Sequence, residues 1–167
     1  NPIEKEEYKE VNRTPFPYQD DIIDKRVSFM FYNPLQVSTV STNASAKGII
    51  EAITAVNKDA KMDSLNREIA RSLFGFYEVA EYWYASDDEV QERYGFETDT
   101  KIRCLIFKPE DGDVLYPLFD NKRNLIAFSR GYKTRDYEGK EAEYFETWTD
   151  QSYSRLMKSG GNWVEDQ

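Results

Sequence analysis

Apolar positions along the chain fall into two regimes. Up to about residue 76 they recur at helical spacing, and beyond it they alternate. Ile23, Val27, Met30 and Phe31 stand at i, i+4, i+7 and i+8, one face of a helix that Asp20 and Asp21 can cap and that Pro34 ends. Leu35, Val37 and Val40 follow among Ser and Thr and predict a short strand. Ile49, Ile50, Ile53 and Val56 predict a second helix opened by Asn43 or Ser45 and fading at Asn57–Lys61. Leu65, Ile69 and Leu73 predict a third, opened by Asp63 or Ser64, with Gly75 ending it at positive φ. Between its apolar positions Arg67, Glu68 and Arg71 occupy the other side.

The period then drops to two. Tyr77 to Tyr84 reads as a strand with aromatics on both faces. Asp87–Thr100 is polar and reads as a loop holding a helical turn at Asp88–Arg93. Strands follow at Ile102–Phe107, Val114–Phe119, Leu125–Tyr132, Ala142–Thr149 and Ser152–Lys158, with a return at Trp163–Val164. Turns separate them at Lys108–Asp113, Asp120–Asn124, Tyr137–Lys140 and Gly160–Gly161. The fold class expected is α+β: N-terminal helices packed on a mostly antiparallel, hairpin-rich sheet, with Ile23, Val27, Ile53, Ile69 and Leu73 inward. Residues 1–17, with Pro2, Pro15 and Pro17, read as an extended arm with a helical turn at Glu4–Lys9, and 18–167 as a single α+β domain.

Composition narrows the chemistry. At 167 residues the chain can bury a core without metal or disulfide. Its 12 Tyr, 10 Phe and 3 Trp speak against disorder. The net charge of −9 opposes nucleic-acid binding over most of the surface. The densest basic region, Lys122, Arg123, Arg130, Lys133 and Arg135, reads as solvated hairpin residues. Cys104, the one cysteine, lies in an apolar run and reads as a buried thiol in a reducing compartment. No stretch reaches the length of a membrane span.

The absence of histidine removes the commonest general base and metal nitrogen ligand, and there is no phosphate-binding glycine loop. Glu110, Asp111 and Asp113 could hold a hard cation but lack the spacing of a calcium loop, so they read as a turn. Asp87, Asp88 and Glu89 read as a helix cap. Tyr82, Trp83 and Tyr84 with Trp148 are either packed strand faces or an aromatic platform. The second option would suit an acid-residue hydrolase or a carbohydrate-binding module. A third option is an adaptor whose acidic surface takes a basic partner. No catalytic, cofactor-binding or metal-ligating residue is assigned, and no cofactor is expected.

In order along the chain, these segments resemble the portal proteins of tailed bacteriophages of the siphovirus type. Phe16 to Val37 resembles the family's first helix and its Pro-marked step, although Tyr32-Asn33-Pro34 lacks the Gly many relatives have there. Leu65–Tyr84 resembles its helix leading through Gly into an aromatic strand. Ile102–Phe119, ending at Asp120-Asn121, then Leu125–Tyr132, then the hairpin Phe145–Leu156, complete the likeness. The resemblance implies a structural, non-catalytic role in the virion. The full protein would form a homo-oligomeric ring at one capsid vertex and seed head assembly. It would meet terminase, capsid or scaffolding proteins and head–tail connector proteins. Double-stranded DNA would pass through its channel during packaging and ejection, with assembly in the bacterial host cytoplasm and no membrane involved. The chain would match the outward wing, as a fragment of a longer protein that continues into stem helices and clip.

Overall fold

The computed structural model describes residues 17–135 and 139–166. The expected arm over 1–17, with its helical turn at Glu4–Lys9, lies outside the described residues except for Pro17, as do Tyr137 and Glu138 of the turn at Tyr137–Lys140. Three helices come first: α1 (Tyr18–Met30), α2 (Ala44–Asp59) and α3 (Met62–Phe76). Two long strands, β1 (Ala80–Arg93) and β2 (Phe96–Phe107), form an antiparallel ribbon. After a 3-10 turn at Pro109–Asp111, a second sheet runs as a meander. Its strands are β3 (Val114–Phe119), β4 (Leu125–Arg135), β5 (Glu141–Thr149), β6 (Tyr153–Ser159) and β7 (Asn162–Glu165), paired in that order.

The fold class is α+β, as expected, with the N-terminal helices packed on the antiparallel ribbon. They lie against one another and against β2 and the 3-10 turn. The five-stranded sheet meets the ribbon through aromatic rings. The helical core is Ile23, Val27 and Ala70, with Phe31 and Phe74 packed on it. Ile23 and Val27 are inward as the spacing predicts, and Ile69 is half-buried. Ile53 and Leu73 are exposed, at 39% and 44%. On α3 the buried positions are small: Ala70 joins the core with Ile23 and Val27, and Ser72 bonds the Glu78 carbonyl and Glu110, while the larger Leu73 is turned outward.

Local chemistry explains each boundary. α1 has Pro17 at its cap without a side-chain bond; Asp20 and Asp21 act by charge in the first turn instead. Asn43 caps α2, accepting from the Ser45 N–H at 3.0 Å. Lys61 turns left-handed before α3, one residue ahead of Met62. Gly75 does not end α3. It stays helical, 3.9 Å in Cβ terms from Ile23 Cδ1, and Tyr77 takes the left-handed position at φ 66°.

Two further expectations are corrected. Leu35, Val37 and Val40 form no strand: from Pro34 to Thr39 there is no helix, turn or bend, and among the described residues no strand pairs with the segment. Asp87–Thr100 is neither loop nor helical turn but the outer half of the ribbon. Tyr94 (φ 53°) and Gly95 (φ 89°) make its two-residue tip, the left-handed pair that matches strand twist. The outer half of the ribbon is held through Arg93 and Tyr94 on Asp59 of α2 and leaves Asp87, Asp88, Glu89 and Glu92 exposed without alternation, so the polar run misleads. The register shifts between Asp87 and Gln91. Strand β1 starts at Ala80, three residues after Tyr77.

Candidate functional site

Pairing puts residues two apart on one face, and in register across strands. Phe128, Trp148 and Tyr153 therefore line up across β4, β5 and β6. Their row meets Tyr82 of β1 and Phe107 of β2: ring centroids are 5.3 Å apart for Tyr82–Trp148, 5.8 Å for Phe107–Trp148 and 5.4 Å for Trp148–Tyr153. Tyr84 stacks on Tyr82 at 5.6 Å. Three of the four aromatics singled out in the sequence are thus joined in the seam between ribbon and sheet. Trp83 stands apart on the other side of β1, donating its indole N–H to Glu81 at 3.0 Å.

The next row is ionic. Arg130 of β4, Glu146 of β5 and Arg155 of β6 are successive cross-strand partners. Arg130 Nε and Nη2 reach Asp113 Oδ1 at 2.8 and 2.7 Å, and Nη1 lies 3.7 Å from Glu146. Its guanidinium sits 4.1 Å from both the Phe107 and Tyr132 ring centres. Tyr153 and Tyr132 donate to one Glu146 oxygen at 2.9 and 3.3 Å. Arg155 stacks on Tyr144 and pairs with Asp166 at 3.1 Å. Burial, then the bond to Glu146, pushes the Tyr153 phenol up to about 12. Burial, then the charge of Glu146, also raises Tyr132. Asp113 and Glu146 are 4% and 8% exposed. Asp113 is held by Arg130 and the Lys108 N–H, and Glu146 by two tyrosines with Arg130 and Arg155 nearby, which makes this row a brace between strands. Sequence reasoning assigned none of these roles. The available signal was an Arg or Glu at an inward position between aromatics in three successive hairpin strands.

The acidic turn disperses. Glu110 accepts from Ser72 Oγ at 2.9 Å, Asp111 lies 3.8 Å from Lys108, and Asp113 takes Arg130 and the Lys108 N–H. Among the described residues, no group of three His, Cys, Asp or Glu is placed to hold a metal ion. Asp87, Asp88 and Glu89 lie in β1 and cap no helix. The Glu89 N–H, followed by the Arg93 and Lys101 charges, holds the Asp88 carboxyl below its usual range. Cys104 is buried, and burial, then Glu81, raises its thiol. Of the basic residues, Lys122, Arg123, Lys133 and Arg135 are exposed as expected. Arg130 is not, because it belongs to the ionic row.

Two apolar hollows remain. One, of about 610 Å³, lies on the outer face of the five-stranded sheet over Tyr116, Gly131, Phe145 and Trp163, with Asp111, Lys133 and Glu143 in its wall. A Cβ at Gly131 would stand 3.6 Å from the Phe145 ring. The other, of about 550 Å³, is a groove between edge strand β3 and the start of β1, lined by Leu73, Tyr77, Pro117, Phe119, Leu125 and Trp148. The buried Trp148 indole nitrogen has no hydrogen-bond partner. No helix among the described residues is long and apolar enough to cross a membrane.

Among the described residues, these rings and charges form packing faces and braces between strands. No curated protein matches the chain. A family model described as phage portal protein, SPP1 Gp6-like, matches residues 1–167, all of it, in agreement with the order of elements described above. The chain belongs to the SPP1 Gp6-like phage portal protein family, and its role in the virion is that of a structural portal component.

Proposed function

We propose that this chain is the outer wing of a portal subunit, one unit of a ring at the capsid vertex, and that it works without catalysis. The full-length match to the portal family carries this reading. In it, the ring seeds head assembly, receives the packaging terminase, passes double-stranded DNA and afterwards joins head to tail through connector proteins. Assembly takes place in the host cytoplasm. The chemistry of the chain supports a scaffold: the inward carboxylates Asp113 and Glu146 are consumed by Arg130, Arg155 and two tyrosines. A net charge of −9 gives DNA little to hold, which suits a wing set away from the channel.

The test is assembly. Expressed in full, the protein carrying this chain should form rings of uniform symmetry in negative-stain images. A phage lacking it should make no DNA-filled heads. A full protein that stays monomeric at every concentration, or a deletion that leaves packaging intact, would defeat the reading.

A further inference from the structure

The segment after α1, Leu35-Gln-Val-Ser-Thr-Val40, has strand chemistry, yet among the described residues nothing pairs with it. Arg67 Nη2 holds its start through the Phe31 carbonyl at 3.1 Å, and the Asn43 cap of α2 holds its end. Between these anchors Val40 is fully exposed at 105%, and Leu35 at 64%. Beside the segment, a gap of about 430 Å³ separates Leu35 and Val37 from the α2–α3 corner.

Charge distinguishes this surface from the rest. From Val27 to Ala46 there is no Asp, Glu, Lys or Arg, in a chain that is 32% charged. Depletion of charge is the compositional mark of an interface core. The exposed side chains here are Phe29, Met30, Tyr32, Leu35, Val37 and Val40. Together they present on the order of 800 Å², the share one partner contributes to a standard interface.

A matching surface exists on the same chain. Edge strand β3 also has six residues and no charge, and Val114, Tyr116, Leu118 and Phe119 are each about half exposed. One face of it, Leu115, Pro117 and Phe119, lines the 550 Å³ groove, whose charged members are Glu78 and Glu81. The outer-face hollow, walled by Asp111, Lys133 and Glu143, suits a charge-free segment less well. Exposed apolar edge strands invite pairing, and Pro117, lacking an N–H, limits how indiscriminately this one can pair.

We infer that residues 35–40 of one copy add as a strand to β3 of a second copy, along the groove beside it. The inference rests on the reading of the chain as a ring subunit. Donor and acceptor are different patches, so the contact is head-to-tail, the kind that closes into a ring. Strand addition supplies backbone hydrogen bonds for affinity, and the groove selects the side chains.

Cysteine cross-linking of the full chain tests this. Val37→Cys and Phe119→Cys are placed together in one variant and separately in two. Under mild oxidation the double variant should give a ladder of cross-linked species. The two single variants should give a dimer only when mixed. Val37→Asp should raise the concentration needed for assembly by about a hundredfold or more, since it buries a charge without a partner. Its circular dichroism should be unchanged, because residue 37 lies outside the folded core. Rings that form without a 37–119 cross-link would overturn the inference and leave the subunit reading standing. A 37–37 cross-link, or normal assembly of Val37→Asp, would overturn it as well. Failure of the unmodified full chain to assemble would overturn both.

Discussion

Arg130 is the residue whose removal should cost most. Its fork holds Asp113, whose side chain is 2% exposed, and one nitrogen faces Glu146. Its flat face lies between Phe107 and Tyr132. Arg130→Met keeps an apolar stem of similar length but strands the Asp113 carboxylate, which is left with the Lys108 N–H at 2.9 Å. Breaking a buried pair from one side costs about 3–5 kcal/mol. Each lost ring contact adds about 0.5–1 kcal/mol, while the methionine stem recovers part of the packing. The net expectation is about 3–4 kcal/mol. For a chain of this size that is a fall of roughly 10 °C in Tm. Urea titration followed by circular dichroism measures it directly. Arg130→Lys should lose about 1–2 kcal/mol, because a lysine keeps the charge and loses both fork and stack. Adding Asp113→Asn to Arg130→Met should recover at least about 1 kcal/mol relative to additivity. A loss below about 1 kcal/mol for Arg130→Met, or Arg130→Lys equal to the unmodified protein, would refute the brace.

Other expectations follow from single contacts. The Tyr153 phenol binds its proton more tightly folded, at about 12, than unfolded, near its ordinary 10. The stability it contributes is therefore complete below pH 10 and lost as pH rises to 12. Tyr153→Phe should remove that part of the alkaline decline, as read by denaturation against pH. Asn43→Ala removes the acceptor for the Ser45 N–H and should cost about 1 kcal/mol, visible as a lower urea midpoint. Tyr77→Gly relieves a left-handed tyrosine that is 88% exposed, and should raise stability by up to about 1 kcal/mol in thermal melts.

Periodicity alone specified that helices come first and hairpins after, because amphipathic spacing is a local property of the chain. It also narrowed the α2 cap to Asn43 or Ser45, and placed the turn around Gly112 and the burial of Cys104. The order of those elements was enough to bring the portal family into view. Where the sequence misled, the cause was non-local. Gly75 could not be told from a helix end, because what keeps it helical is its approach to Ile23 on α1. The acidic run after Asp87 looked like a loop, because the outer half of the ribbon carries its charges without alternation and is held through Arg93 and Tyr94 on Asp59 of α2. Leu35–Val40 has strand chemistry, but a strand exists only with a partner, and among the described residues none pairs with it. Leu73 reads as core by spacing but is 44% exposed, because the positions α3 buries are the small Ala70, against α1, and Ser72, against Glu78 and Glu110. The ionic row Arg130–Glu146–Arg155 lay beyond the sequence for the same reason. Each residue looks like a surface charge in its own strand, and only the register of three neighbouring strands brings them together, against aromatic rings.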